Sequence, residues 1–441
     1  VAEGARFTPD VVVDALLGTG LAREVEGVFA AAIDRINAGG APVLALDVPS
    51  GLDADRGRPL GRCVRASVTV TFVGLKQGFF LDAGPDYIGD LEFSDLLLPA
   101  ELPASLEPAF RRLRPALLRA SLPPRPRTAH KGQNGRLLLV GGGPGTAGAI
   151  RLAAEASLRV GAGLVYVATD RESVGMVLAG RAELMCRPVA TAADLDSLLE
   201  LADAVVLGPG LGKSEWARAL WQRVVASSLP LVLDADGLNL LAEIGIGREV
   251  EQRIARGDWL LTPHPGEAGR LLGRSATEVQ SDRLGAVAEL ARRYGAAVAL
   301  KGACTLVATR GGETGKPSRS ASGPDADADH TESGTAFGQP AHAGAADQTE
   351  PSGAAGEGGS AARVTIHVCD YGNPGMATAG MGDVLSGVLG GLLVQLRDLP
   401  RTALTGVLLH ALAGDDAAAE GQRGLIAGDL LPALRRWANP C

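Results

Sequence analysis

The chain has 441 residues, room for two domains at ~150 residues each, with 46% hydrophobic and 4% aromatic residues and a formal net charge of −8. A negative balance excludes a surface built to hold nucleic acid or an anionic membrane, and no apolar run reaches the ~18 residues of a membrane span. Cys63, Cys186, Cys304, Cys369 and Cys441 form no C-x-x-C pair, and the six histidines form no ligand cluster. That spacing suggests neither a disulfide framework nor a zinc site, and with an N-terminus that lacks a signal-peptide core it makes a reducing, cytoplasmic setting the expectation.

Val11 to Leu17 reads as a buried strand that runs into Gly18, Thr19, Gly20, Leu21, Ala22, Arg23 and Glu24. A helix from about Glu24 to Asn37 follows, closed by Gly39-Gly40. Val43 to Leu46 is the next strand and ends in Asp47-Val-Pro-Ser-Gly-Leu-Asp53, and Ser67 to Val73 is a third. This alternation predicts a partial Rossmann-like α/β domain over residues 1–103, with Asp14, Asp47 and Ser50 near strand ends, where such sheets bind ligands. Gly18-x-Gly alone fits an ordinary tight turn equally well. Together with Asp47-Val-Pro-Ser-Gly it resembles the second half of the NAD(P)H-hydrate epimerase domain. The resemblance implies a potassium ion at Asp14 and Ser50, the hydrated nicotinamide nucleotide at Gly18 to Glu24 and Asp47, and Asp47 as the acid–base residue. The family's domain begins upstream with an Asn-rich, Gly-Gly-Asp-Gly-type segment that this sequence lacks. A half domain with an exposed apolar edge and face and no epimerase activity is therefore expected, from a mis-called start codon or a truncated gene.

Residues 104–129 are rich in Pro and Arg and close on Leu122-Pro-Pro-Arg-Pro-Arg. They read as a solvated linker with room for a short helix over Pro108 to Arg119.

From 130 to 441 the pattern is an α/β domain. Strands are predicted at Arg136–Val140, Leu164–Ala168, Ala204–Leu207, Leu231–Leu233, Trp259–Thr262, Ala297–Leu300, Thr305–Ala308 and Val364–Val368, and a helix from Ala149 to about Val160. Nearly every strand ends in a polar or Gly-rich loop: Gly141 to Gly148, Gly208 to Gly212, Asp234 to Asn239, Pro263-His-Pro-Gly-Glu267 and Lys301 to Thr305. Loops on one rim of a parallel sheet converge on one crevice, so these line a single site, and His264, fixed between prolines, is read as a substrate contact. The glycine run after Val140 has the wrong spacing for a dinucleotide fingerprint. Residues 311–362 are read as a disordered insertion in place of a hairpin turn, because from Thr314 to Ala362 Phe337 is the only large apolar residue.

The most informative stretch is Asp370-Tyr-Gly-Asn-Pro-Gly-Met-Ala-Thr-Ala-Gly-Met-Gly-Asp-Val-Leu-Ser-Gly387. It reads as a Gly-rich loop opening a helix, whose backbone N–H groups would hold an anion, with Asp383 placed to take a proton from a hydroxyl attacking a phosphoryl group. The stretch resembles the signature of the ADP- or ATP-dependent NAD(P)H-hydrate dehydratases, a ribokinase-like α/β family with a doubly wound parallel sheet. The resemblance implies repair of the S form of hydrated NADH or NADPH at the expense of ADP or ATP, with AMP and phosphate as products of ADP, Mg²⁺ on the nucleotide, and a homo-oligomer. It places the hydrated nucleotide at Ala149, Gly212, His264 and Asp383, and the adenine nucleotide at Lys301, Gly302, Ala303, Cys304, Thr305 and Gly382. A kinase of a small alcohol on the same scaffold is the alternative, and a nucleotide-binding regulator without turnover a third.

Overall fold

The computed structural model describes residues 9–99, 107–310 and 363–440; the predicted insertion at 311–362 lies outside them. The first strands are β1 Val12–Asp14, β2 Val43–Leu46, β3 Val68–Phe72 and β4 Asp90–Ser94, parallel and in the order β1-β2-β3-β4. The register puts Val12, Asp14, Val43, Ala45, Thr69 and Thr71 on one face, all buried. The other face carries Val13, Leu44, Leu46, Val68, Val70 and Phe72, none of them buried. Parallel sheets are ordinarily covered on both faces. This one adds its strands in a single direction, so right-handed crossovers leave one face bare. Two boundaries and one strand differ from the sequence expectation. The first strand is three residues, because Asp14 turns its carboxylate onto Ser50 and ends the ladder; the first helix starts at Gly27 rather than Glu24; and β4 was not anticipated.

The second sheet contains β5 Arg111–Arg112, β6 Arg136–Val140, β7 Leu164–Thr169, β8 Met185–Pro188, β9 Ala204–Leu207, β10 Leu231–Leu233, β11 Trp259–Leu261, β12 Ala297–Leu300, β13 Thr305–Arg310 and β14 Val364–Cys369. Its order is β5-β14-β13-β12-β11-β10-β9-β6-β7-β8. It is mixed rather than wholly parallel, because β13 runs antiparallel to both β12 and β14. The chain leaves β6 toward β7 and β8, then returns to β9 on β6's other side, which opens a crevice beyond the ends of β6 and β9.

Alternate residues feed two cores. Leu138, Val140, Val205, Leu207, Leu231, Leu233, Trp259 and Leu261 pack on one face, and Leu137, Leu139, Val206, Val232 and Leu260 on the other. Burial of both faces is why these strands read as unbroken apolar runs. Helices Ala147–Arg159, Met381–Leu396 and Leu399–Ala417 cover the second face. Among the described residues no helix is long and apolar enough to cross a membrane.

The expected linker is only in part a connector. Arg111 and Arg112 form the sheet's edge strand beside β14, the helix is Ala116–Ser121 rather than Pro108 to Arg119, and Leu113 and Leu118 are buried. The Arg112 guanidinium pairs with the Asp370 carboxylate and lies 5.0 Å from the centre of the Phe80 ring, which itself meets Phe110 edge-on at 5.7 Å. Even Arg125, in the Pro-rich run, donates to the Gly161 carbonyl at 2.6 Å and to Gln395. Arg112→Ala leaves the Asp370 carboxylate, 16% exposed, without its cation, an expected loss of about 2 kcal/mol for a pair that is not fully buried. Thermal unfolding checks this as a Tm lower by about 5 °C.

Candidate active site

The signature loop is held from behind by helix Leu399–Ala417. The Asn373 amide donates to the Gly414 carbonyl at 3.0 Å and to Asp415 Oδ1 at 3.1 Å, while Gly372 N donates to Asp415 Oδ2 at 2.9 Å. The chain turns into helix Met381–Leu396 at Gly380, whose φ of +88° lies in the left-handed region that favours glycine. This helix lies flat against helix Ala147–Arg159: a Cβ on Gly387 would stand 2.0 Å from the Ala153 carbonyl oxygen. The Gly380–Asp383 turn therefore sits close to the first turn of the other helix, which carries Ala149 and abuts the crevice. Two helix N-termini aim their partial positive charge at one place.

Four charged groups meet there. Asp234, at the end of β10 and 1% exposed, accepts from Lys301 Nζ at 2.7 Å on one oxygen and from Ser386 Oγ at 2.5 Å on the other. Burial opposes its charge, but Lys301 and these donors hold its pKa below the usual carboxylate value. Lys301, at the end of β12, is held above its usual value by Asp234 and Glu267 against the effect of burial. Glu267 Oε2 lies 3.8 Å from Lys301 Nζ, and burial pushes the Glu267 carboxyl up to about 7 in spite of Lys301. Asp383, in the helix's first turn, is pushed up to about 6 by burial and by the nearby charges of Asp234 and Asp236, with Lys301 acting the other way.

His264 caps helix Pro265–Leu272. Its Nδ1 accepts from Gly266 N at 3.0 Å and Glu267 N at 3.4 Å, and the His264 backbone N–H donates to Glu267 Oε2 at 2.8 Å. With Nδ1 an acceptor the ring proton sits on Nε2, and burial together with Lys301 and Arg270 lowers the pKa. His264 is thus a neutral donor at the rim. Gly212, φ +73°, donates its N–H to Asp236 Oδ2 at 2.8 Å, which joins its loop to the carboxylate beside Asp383. Lys301 N donates to the Pro263 carbonyl at 2.9 Å, so the Lys301–Thr305 loop and the His264 loop are one layer. In that loop Gly302 and Ala303 are exposed while Cys304 is turned inward; burial pushes the Cys304 thiol up to about 11, so it is no nucleophile. The Thr305 hydroxyl donates to the Gly302 carbonyl at 3.4 Å. Asp383, Gly382, Lys301 and His264 are thus brought together, with Gly212 linked through Asp236. Asp234, Asp236, Glu267 and Ser386 were not singled out from sequence. The one signal for Glu267 is its place three residues after His264, the spacing of a capping box.

In the N-terminal sheet Asp14 and Ser50 meet. Ser50 N donates to Asp14 Oδ2 at 2.8 Å, Ser50 Oγ to Oδ1 at 2.6 Å, and Leu17 N donates to Ser50 Oγ at 2.8 Å. Asp14 is 1% exposed and has no cationic side-chain partner among the described residues. Asp47, at the end of β2, has φ +68°. It accepts from Lys76 Nζ, from Phe72 N at 3.1 Å and from Thr71 Oγ1 at 3.2 Å; burial opposes its charge, but Lys76 and these donors keep its pKa below the usual value. Lys76 was missed because its link to Asp47 spans two strands. Gly18 to Glu24 form a mostly exposed loop between β1 and the first helix.

Residues 137–325 and 361–436 match the family model described as NAD(P)H-hydrate dehydratase, and residues 2–78 match that of the YjeF-related protein N-terminus. The bifunctional NAD(P)H-hydrate repair enzyme of Coxiella burnetii is 44% identical over 98% of this chain and 77% of its own length. That of Escherichia coli is 40% identical over 98% and 72%. Among solved structures, a ribokinase-like superfamily protein of Enterococcus faecalis (TM-score 0.56, 23% identity, 76% of this chain and 96% of that one) shares the fold. So does the ADP/ATP-dependent NAD(P)H-hydrate dehydratase of Bacillus subtilis, co-crystallized with ATP/Mg²⁺ (TM-score 0.56, 24% identity, 74% and 97%). A dehydratase model over most of the larger domain, an epimerase-related one over the smaller, and relatives alike along almost the whole chain leave one assignment: the chain belongs to the family of bifunctional NAD(P)H-hydrate repair enzymes.

Proposed function

We propose that the larger domain returns the S form of hydrated NADH and NADPH to the reduced coenzyme, with ADP or ATP as phosphoryl donor. Asp383 takes the proton of the ring hydroxyl as that oxygen attacks the terminal phosphoryl group, and AMP leaves when ADP is the donor. The Gly380–Gly382 amides and the Lys301 ammonium face the charge on the transferred group. The ring nitrogen's lone pair then expels phosphate, and loss of a proton from the neighbouring ring carbon restores the double bond. The observation that carries this reading is Asp383 itself, a carboxylate held near the helix N-terminus with its pKa at about 6, so that it is ionised and still basic at neutral pH. Ala149, Gly212 and His264 would hold the hydrated nucleotide, and Lys301 to Thr305 with Gly382 the adenine nucleotide.

Among the described residues no three His, Cys, Asp or Glu side chains converge as a metal site, so in this reading Mg²⁺ would ride on the nucleotide's phosphates and screen their charge. The N-terminal domain offers a better fit to an ion: a buried carboxylate without a cationic partner is costly, and Asp14, with the Leu17 carbonyl close by on Ser50 Oγ at 3.2 Å, would suit K⁺.

The chain, mixed with enzymatically hydrated NADH, ADP and Mg²⁺, is expected to restore the absorbance of NADH only when ADP or ATP is present. No recovery with either donor, but a stable phosphorylated product from a small alcohol, would move the reading to a kinase. The rate should also follow the ionisation of Asp383. It rises through pH about 6 and levels above it, so kcat/KM at pH 5 is roughly tenfold below that at pH 7. A profile flat from pH 5 to 7 would remove Asp383 as the base.

A further inference from the structure

We propose that Asp234 is a positioning residue of the phosphoryl-transfer site: by holding the Lys301 ammonium and the Ser386 hydroxyl on its two oxygens, it fixes the nucleotide loop against the first turn of helix Met381–Leu396. The inference rests on the reading of Asp383 and Lys301 given above. It begins with the distances, 2.7 Å to Lys301 Nζ and 2.5 Å to Ser386 Oγ, which join three segments far apart in sequence: the end of β10, the end of β12 and the signature helix. Ser386 Oγ also lies 3.1 Å from the Gly382 carbonyl. A Cβ on Gly382 would stand 3.3 Å from Lys301 Nζ and 3.8 Å from Asp234 Oδ2. The ammonium therefore stands against the amide-lined turn, with Asp383 next in the chain.

The backbone is arranged around this carboxylate. Ala235, directly after it, is a non-glycine residue at φ +47°, a conformation that persists only where the surroundings impose it. Gly208, φ +129°, makes room: a Cβ there would come within 1.8 Å of the Asp234 carbonyl oxygen. Lys301 has a second carboxylate in reach, Glu267 at 3.8 Å. Asp234 decides between them, holding the ammonium toward the helix rather than toward His264 and Glu267. Stability alone is a weak reason for such a pair, since buried ion pairs are often no better than apolar contacts of the same volume.

Asp234→Asn keeps the shape and an acceptor for Ser386 but removes the charge that holds Lys301. Lys301 is then faced by Glu267 and Asp383, with neutral His264 near; Asp383 is faced by Asp236 and Lys301. Loss of one negative charge lowers the pKa of both Asp383 and Lys301, so the acid and the alkaline limb of kcat/KM both move to lower pH. Displacement of the ammonium lowers kcat about 100-fold. A purely structural role would reduce the amount of active enzyme and leave both limbs in place. Limbs at the wild-type positions with kcat/KM within threefold of wild type would overturn the proposal. Ser386→Ala, which leaves the charge pair whole, keeps the test open if the first variant fails to fold: kcat falls several-fold with limbs unmoved, and an unchanged kcat overturns the link to the helix. ADP affinity by calorimetry, on wild type and Asp234→Asn, separates this inference from the proposed reaction. If wild type does not turn over hydrated NADH but binds ADP, a roughly tenfold weaker affinity in the variant sustains the positioning role, and equal affinity ends it. A wild type that binds no ADP ends both.

Discussion

Asp383→Asn lowers the ADP-dependent recovery of NADH from its hydrate about 10³-fold while leaving ADP affinity within a few-fold of wild type. General-base catalysis contributes ~10²–10⁴ in rate, and an amide of the same shape cannot take the hydroxyl proton. The same substitution has an unusual consequence for stability. Burial raises the folded pKa of Asp383 from its ordinary value of 3.8 to about 6. Ionisation is thus less favourable in the folded chain than in the unfolded one, and the charge costs stability above pH about 6 but nothing below the unfolded pKa. The Asn variant is expected to unfold at a higher temperature than wild type at pH 8, with the difference vanishing at low pH. Loss of activity together with a gain in Tm separates a base from a structural residue. A variant that keeps a tenth of wild-type activity would leave the site without its base.

Gly387→Ala is expected to lower the unfolding temperature by about 8 °C, a loss of about 3 kcal/mol, although alanine is the better helix former by about 1 kcal/mol. The added carbon would meet the Ala153 carbonyl oxygen at 2.0 Å and its Cα at 2.8 Å, both backbone atoms that cannot rotate away. Gly391, one turn on, is less tight but still close, with Val160 Cγ2 at 2.6 Å and the Ser157 carbonyl oxygen at 2.8 Å. Ser157 Oγ bridges the two helices through the Gly387 carbonyl at 3.1 Å. Separating the helices would also carry the Gly380–Asp383 turn away from the rim, so activity at 20 °C falls along with Tm. Differential scanning calorimetry checks it, and a Tm within 2 °C of wild type would mean that the helices accommodate the methyl group.

The strands that could be read from sequence are those whose surroundings are simple. Arg136–Val140, Ala204–Leu207 and Ala297–Leu300 are apolar throughout because both faces are buried, and polar or Gly-rich loops bound them. Asp383 was legible for a similar local reason, since a Gly-rich loop, an acid and a helix lie side by side in the chain. The pairing of Thr305–Arg310 with Val364–Cys369 was readable as a hairpin, but the antiparallel direction it imposes on a parallel sheet was not drawn from it. What sequence hid depends on distant partners. Arg111 and Arg112 resemble a solvated basic run until β14 supplies a ladder and Asp370 a carboxylate, 258 residues from Arg112. Asp234 lay in plain view in Asp234-Ala-Asp, yet nothing local says that it reaches Lys301 and Ser386. Lys76 reaches Asp47 in the same long-range way.

The edge strand at Arg111–Arg112 also bears on how such chains can be assembled from parts. If the two domains had been joined as separate modules, the natural point of recombination would fall in the Pro-rich stretch before His130. A break there would strip the dehydratase sheet of its edge strand and, by carrying Arg112 off with the other fragment, leave Asp370 uncompensated at the head of the signature loop. A unit that keeps its edge strand would have to begin upstream of Arg111, so the segment that looks like a tether would be inherited with the domain that follows it.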